Sequence, residues 1–263
     1  MGKKLQKAPV YFVIAQVQFN QIMALESYAP QIQDSFRKNG YPDSEHSVVN
    51  VLNIGFGAAP VQVHQSAPMT EIKQYSFYNI DRTENFVLSQ DRFSFQTTQY
   101  DVFEEFSKKF IDGLKLVHDT IQLNFVARTG LRYLDAVVPK DGEKVSKYLN
   151  EHVLGLNEKS LGQLSHSFSE TVYKSNDVSV TARAVTLRGH LGVPPDLQPM
   201  PLNFLDRFKS VNGVHTILDT DGSISQRNVF ELKLIGAQLV TIHEEITRTF
   251  KATVTPAALE AWA

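Results

Sequence analysis

The sequence predicts an α+β protein in which an antiparallel sheet, or more than one, is flanked by two long amphipathic helices. Three observations indicate this class: several segments alternate apolar and polar residues, two long segments repeat apolar residues at steps of three and four, and turn residues separate the strands. Residues 73–139 combine all three, because they follow the pattern strand, strand, strand, long helix, strand.

The first element is a strand over residues 10–19. Its odd positions from 11 onwards are apolar, and its even positions are apolar over the first half, which indicates a central strand covered on both faces. A helix then begins at Pro30, where a missing N–H removes no hydrogen bond, and ends at residues 39–40. Weaker strands follow around Val48 and Val61.

Residues 81–85 and 90–91 separate the next three strands as turns. Asp101 and Glu104 form a capping box for the long helix that follows. Its apolar residues recur at steps of three and four and predict a core-facing stripe, made of Phe103, Phe106, Phe110, Leu114 and Val117. A strand over residues 121–127 comes next, and Gly130 marks a bulge before the strand resumes over residues 131–138.

The second half repeats this plan. A short helix over residues 145–154 precedes two long strands, at 162–174 and 178–188. Residues 189–202 contain four prolines and predict an irregular loop that is either functional or disordered. A strand over residues 213–220 leads to the longest helix, at 229–252, and Thr255-Pro256 starts a terminal turn. We therefore expect two α+β halves, 1–140 and 141–263, packed as one compact unit.

Composition limits the function classes. The chain has 263 residues, a formal net charge of −2 and no cysteine. This charge balance argues against a broad electrostatic grip on nucleic acid, and the lack of cysteine excludes disulfides and thiolate metal sites. The start of the chain has no apolar signal core and no stretch long enough to span a membrane. We expect a cytoplasmic protein with no cofactor.

Two motifs resemble metal sites without completing them. His243 is followed by two glutamates, but position 247 is threonine, so the second histidine of a zinc helix is missing. Asp219 and Asp221 precede Gly222 as in a calcium loop, but no glutamate closes it, and a strand that ends in an Asp-Gly turn explains the pattern as well. These two aspartates are weak candidates for a divalent ion.

One group of polar and aromatic residues is the candidate binding site. Arginine and tyrosine on or beside strands can present a planar recognition surface. The same residues can instead form an internal network that holds the sheet to the long helix, and the sequence leaves both interpretations open. The group consists of Arg92, Tyr100, Arg132, Tyr133 and Asp135.

Several segments in a fixed order resemble a sporadically distributed bacterial family of conserved hypothetical proteins of about this length, which has no assigned activity. In such proteins the strand after the long helix usually reads Arg-Tyr-Ile/Val-Asn, whereas this chain has Leu134-Asp135 at the last two positions. The resemblance implies an α+β fold and supplies no catalytic residue. The matching segments are residues 9–10, 89–95, 100–110, 130–135 and 218–221, and a closing pattern of Leu239, His243, Phe250, Thr255 and Leu259.

Three functions remain open. The first is a non-enzymatic interaction or accessory subunit of a larger bacterial assembly, in the host-defence or mobile-element setting that the resemblance implies, with a protein partner. The second is an RNA-binding subunit that uses the sheet face, which the net charge disfavours. The third is a divalent-metal-dependent hydrolase or ligand sensor at Asp219 and Asp221. The sequence does not indicate an oligomeric state.

Overall fold

The computed structural model describes residues 6–52, 69–156 and 162–263. The weak strand expected around Val61 lies outside these ranges. The helices are α1 (Leu25–Lys38), α2 (Phe103–Ile121), α3 (Asp206–Lys209), α4 (Leu232–Thr253) and α5 (Pro256–Trp262). The strands are β1 (Val10–Phe19), β2 (Asp43–Leu52), β3 (Met69–Tyr78), β4 (Glu84–Ser89), β5 (Arg92–Thr97), β6 (Phe125–Val137), β7 (His166–Ser175), β8 (Val178–His190), β9 (Asn212–Ile224) and β10 (Asn228–Val229).

All ten strands belong to one antiparallel sheet, so the predicted α+β class is confirmed. The strand order is β2-β3-β4-β5-β1-β6-β9-β8-β7, and β10 pairs with the start of β6. The central position predicted for β1 is confirmed, since β1 pairs with β5 on one side and with β6 on the other. Strands from both halves of the chain therefore share one sheet.

The long helices cover one face of the sheet. Alternate residues of β1, among them Val13 and Val17, pack with Phe36 of α1, Phe110 of α2 and Ile242 of α4 in the largest apolar cluster. The stripe predicted for α2 is confirmed, because all five of its residues are buried. We call this the helix face.

The opposite face of the sheet is partly covered by the segment after β8, residues 191–211, which leads to β9. Phe12 and Leu134 on this face pack with Leu202 and Phe208 in a separate apolar cluster. The hydroxyl of Tyr11 donates to the carbonyl of Gly192 at 2.8 Å. The segment predicted as an irregular loop is therefore ordered, with one short 3₁₀ turn at Pro195–Leu197. We call this side of the sheet the open face.

Three helix starts differ from the prediction. Helix α1 begins at Leu25 rather than at Pro30, so the proline lies inside the helix. Helix α2 begins at Phe103 with Val102 as the N-cap and no side-chain cap, which makes the predicted capping box wrong. Helix α4 begins at Leu232. Burial of an apolar stripe against the sheet stabilises a helix more than one capping bond does, so packing determines where these helices begin.

The expected bulge at Gly130 is also wrong. Gly130 pairs in regular register with Gln16 and Ser223. A β-carbon at this position would lie 2.7 Å from an Nη atom of Arg128, so the glycine makes room for the arginine side chain across the open face. The strand expected over residues 121–127 begins at Phe125 instead, because α2 extends to Ile121.

The later elements follow the prediction more closely. Two 3₁₀ turns, Val145–Lys147 and Glu151–Val153, replace the short helix. Thr255 caps α5 as expected, accepting a hydrogen bond from the amide of Ala258. Among the described residues, no helix combines the length and the apolar character that crossing a membrane requires.

Candidate functional site

The sheet divides the five candidate binding residues between its two faces. Along β6, Tyr133 belongs to the cluster under the helices, and Arg132, one residue earlier, reaches Asp196 in the segment that covers the open face. Arg92 also lies on the open face, because its neighbour Phe93 is buried on the helix face. The five residues therefore do not form a single surface.

On the helix face, Tyr133 of β6 forms hydrogen bonds with the loop before α2 and with α4. Its hydroxyl lies 3.1 Å from the hydroxyl of Tyr100 and 3.2 Å from Nδ1 of His243. The His243 ring stacks on Phe103 with 4.1 Å between centroids. The sequence singled out His243 as part of an incomplete zinc motif and did not predict this contact. A signal was available, because position 243 follows Leu239 by four residues and lies beside the buried stripe of α4.

Burial determines the protonation of this cluster. It raises the pKa of Tyr100 to about 12 and that of Tyr133 well above its usual value. It also lowers the pKa of His243. At neutral pH the cluster therefore consists of two phenols and a neutral imidazole, which suits a hydrogen-bonded brace between β6, the loop before α2, and α4.

Asp135 is a buried carboxyl near this cluster. Only 7% of the residue is exposed, and its cross-strand neighbours are Val10 and Leu218. No described residue forms a hydrogen bond or an ion pair with its side chain. Burial alone raises its pKa to about 7. The carboxyl therefore titrates close to neutral pH.

On the open face, Arg132 is the centre of an ion-pair network. Its Nε and Nη2 donate to the two oxygens of Asp219 at 2.6 and 2.8 Å, and its Nη1 donates to Asp196 at 2.5 Å. Arg183 donates to Asp219 at 3.3 Å and to Glu170 at 2.6 Å. Burial acts to lower the pKa of Arg132, but Asp219 and Asp196 raise it above its usual value. This geometry is that of an internal brace.

The same network engages one of the two metal candidates. Asp219 accepts hydrogen bonds from Arg132 and Arg183, so both of its oxygens face cations. Asp221 lies 3.8 Å from an Nη atom of Arg128. The Asp-Gly turn expected here is wrong, because β9 continues to Ile224. Within the described ranges, no three histidine, aspartate or glutamate side chains are grouped so that they could hold a metal ion.

Arg92 remains more accessible than Arg132. It donates from Nε to Asp91 at 2.9 Å, and its side chain is about one-third exposed. Gln18 is its cross-strand neighbour and separates it from Arg128 on β6. The phenylalanines of β5 are buried on the helix face, so β5 offers no ring here on which a base could stack.

The edge of the sheet at β7 was not singled out from the sequence. In the described part of the chain β7 pairs with β8 alone, in an unbroken register of ten pairs. Phe168 and Val172 are 59% and 62% exposed and share the open face with Glu170 and Lys174. An available signal was the number of serine, threonine and charged side chains in this strand, which is typical of a partly solvated strand.

A groove of about 140 Å³ lies on the helix face beside this edge. Ser169, Thr171 and Tyr173 of β7 line one side, and Thr249 and Phe250 of α4 line the other. The Tyr173 hydroxyl is hydrogen-bonded to Thr249 at 2.5 Å. Hydroxyl groups of both elements therefore contribute to the lining of this groove.

Comparison of the chain with protein-family models, with curated proteins and with solved structures gives no match.

Proposed function

We propose that the protein is a non-enzymatic binding subunit that joins a larger assembly through the β7 edge of its sheet. The observation that carries this proposal is a ten-residue edge strand with an unbroken register and two exposed apolar side chains. Such an edge presents unpaired N–H and C=O groups to which a further strand can add.

The features that usually prevent strand addition are few on β7. Proteins protect sheet edges with proline, bulges, inward-pointing charges or a covering segment. β7 contains no proline, and its register with β8 shows no bulge. Lys174 and Glu170 are the only charged side chains on the strand, apart from the titratable His166. Phe168 and Val172 add apolar area that a bound strand would remove from water.

The polar groups elsewhere support the same interpretation. Arg132 and Asp219 hold the segment after β8 and the neighbouring strands together, and Tyr133 holds α4 and the loop before α2 to the sheet. These contacts make the sheet a rigid platform for its edge. A rigid strand loses little conformational entropy when another strand pairs with it.

The experiment is affinity capture of the tagged protein at native expression in its own host. In an antiparallel strand, successive N–H groups point to opposite sides, so one of Thr171 and Val172 directs its N–H away from β8. We would make Thr171→Pro and Val172→Pro and use the variant that retains the wild-type thermal unfolding. The expected result is a partner, identified by mass spectrometry, that the wild type captures and this variant loses.

As a matched control, an exposed valine that lies outside the β7 edge is replaced by serine. Val240 on α4 is 46% exposed, so Val240→Ser deletes an exposed valine outside the edge. Capture should survive Val240→Ser and weaken with Val172→Ser. A partner that both variants retain, and that the edge proline does not displace, would show that binding occurs on another surface.

A further inference from the structure

We infer that the partner at the β7 edge is a second copy of this chain, paired antiparallel about a two-fold axis at Val172. This inference rests on the proposed function and deepens it by naming the occupant. It follows from the symmetry of a paired edge, from the charges on the strand and from the hydrogen bonds that those charges already form.

Symmetry restricts the registers. A two-fold axis perpendicular to the sheet places two copies of β7 side by side and antiparallel, with the same face of each sheet on the same side. Residues directly opposite each other share a face, so both must come from the same alternating set. The axis then passes midway between the two copies of one residue, and each choice of this central residue specifies one register.

Charge distinguishes between these registers. With Val172 at the centre, Glu170 lies opposite Lys174 of the second copy, twice by symmetry, and the two Val172 side chains face each other. With Glu170 at the centre, two glutamates would lie opposite each other. With Thr171 at the centre, both charged residues would face apolar ones. Opposite charges stabilise a cross-strand pair and like charges destabilise it, so the register at Val172 is favoured.

The required charges are available. Glu170 accepts a hydrogen bond from Arg183 through Oε2, which leaves Oε1 for a second cation. Lys174 is exposed and forms no ion pair with any residue that the structure describes. In the dimer, Glu170 would lie between Arg183 of its own chain and Lys174 of the second copy. The pairing would also cover Val172, which is 62% exposed in the single chain.

The pair has a simple architecture. The two sheets join into one, with the helices of both copies on the same side, and the two open faces form a continuous surface. Within β7, paired residues extend from Ser169, opposite Ser175 of the second copy, to the reciprocal pair. An interface confined to two strands is at the small end of stable interfaces, so we expect the dimer to dissociate on dilution.

Cysteine substitution shows directly which residues face each other across the interface. The natural chain contains no cysteine, so any disulfide must form between the introduced residues. Directly opposite residues in an antiparallel pair have Cα atoms within the range that a disulfide spans. Val172→Cys should therefore give a covalent dimer under mild oxidation. Glu170→Cys, Thr171→Cys and Tyr173→Cys should not, since these residues do not face their own copies. A dimer cross-linked by one of those three instead would overturn the register.

Charge reversal tests the ion pairs in solution by sedimentation velocity over a concentration series. Glu170→Lys and Lys174→Glu should each raise the dimer dissociation constant by about tenfold, since two attractive pairs become repulsive. An equal mixture of the two single variants should restore association, because lysines on one copy then face glutamates on the other. Dimerisation that neither reversal weakens would overturn the inference.

The outcomes separate this inference from the proposed function. A wild type that stays monomeric at every concentration, with no disulfide at Val172→Cys, overturns self-pairing while a different captured partner at the edge still stands. Thermal unfolding of each variant checks the fold, and the mixture experiment does not depend on it, since two misfolded variants would not rescue each other.

Discussion

Arg132 and Asp219 form a two-point ion pair across neighbouring strands, with N–O distances of 2.6 and 2.8 Å and with less than a tenth of either side chain exposed. The guanidinium also holds Asp196, which belongs to the segment that covers the open face. One side chain thus connects β6, β9 and that segment.

Loss of the buried partner should therefore destabilise the fold more than loss of the exposed one. Asp219→Asn leaves Arg132 buried with only Asp196 to balance it, and we expect a loss of about 3 kcal/mol in the free energy of unfolding. Asp196 is 63% exposed, so Asp196→Asn should remove less than about 1 kcal/mol. Urea denaturation measures both, and equal losses would contradict a buried brace.

The carboxyl of Asp135 should make stability depend on pH. The pKa of this carboxyl in the folded protein is about 7, above the usual value of 3.8. The stability that depends on the protonated carboxyl is therefore fully present below about pH 4 and is lost as the pH rises towards 7. The stability gained by Asp135→Asn relative to wild type should grow over this interval by roughly 4 kcal/mol at most and then level off. Urea midpoints at several pH values measure it. A difference between the two proteins that stays constant from pH 4 to pH 8 would contradict this assignment.

Removal of the Tyr133 hydroxyl should loosen both α4 and the loop before α2. Tyr133→Phe leaves the hydroxyl of Tyr100 and Nδ1 of His243 without this partner, and we expect a loss of about 1–3 kcal/mol in unfolding free energy. Tyr100→Phe removes only the bond between the two tyrosines and should cost less. Urea denaturation of the two variants compares them, and a larger effect at Tyr100 would show that Tyr133 is not the connecting residue.

Two glycines, one on β9 facing α4 and one on an open side of α4, should respond to alanine in opposite directions. A β-carbon on Gly222 of β9 would lie 2.6 Å from Ile242 of α4, so Gly222→Ala should destabilise by about 1–3 kcal/mol through overpacking. Gly236 in α4 has nothing within 4 Å of that position, so Gly236→Ala should stabilise the helix by up to about 1 kcal/mol. Thermal unfolding measures both, and stabilisation by Gly222→Ala would refute the close contact.

Elements of the fold were predicted correctly where one periodic pattern of apolar residues extends along the whole element. The alternation of β1 and the apolar stripe of α2 predicted both the kind of element and the side that is buried. Burial imposes each of these patterns along the whole element. Helix starts were predicted less well. Asp101 and Glu104 match a capping pattern, but α2 begins at Phe103, where its stripe first meets the sheet. Capping residues predict the start of a helix poorly when side-chain packing contributes more to the stability of that helix.

The residues of the candidate site could be identified from the sequence, but their arrangement in space could not. Arg132 and Tyr133 are adjacent in the sequence, and adjacency in a strand places them on opposite faces. The partners that engage them, Asp196 and His243, lie far away in the chain, and only the sheet order brings them close. The β7 edge was missed because edge position depends on strand order, which the periodicity of a single strand does not contain.

The central position of β1 determines when the protein can begin to fold during synthesis. β1 is complete at Phe19, but its neighbours begin only at Arg92 and Phe125. The ribosome must therefore release a strand that is apolar on both sides long before either neighbour exists. Pairing on both sides of β1 can be completed only after β6 has emerged, so during synthesis β1 is a site at which aggregation can begin.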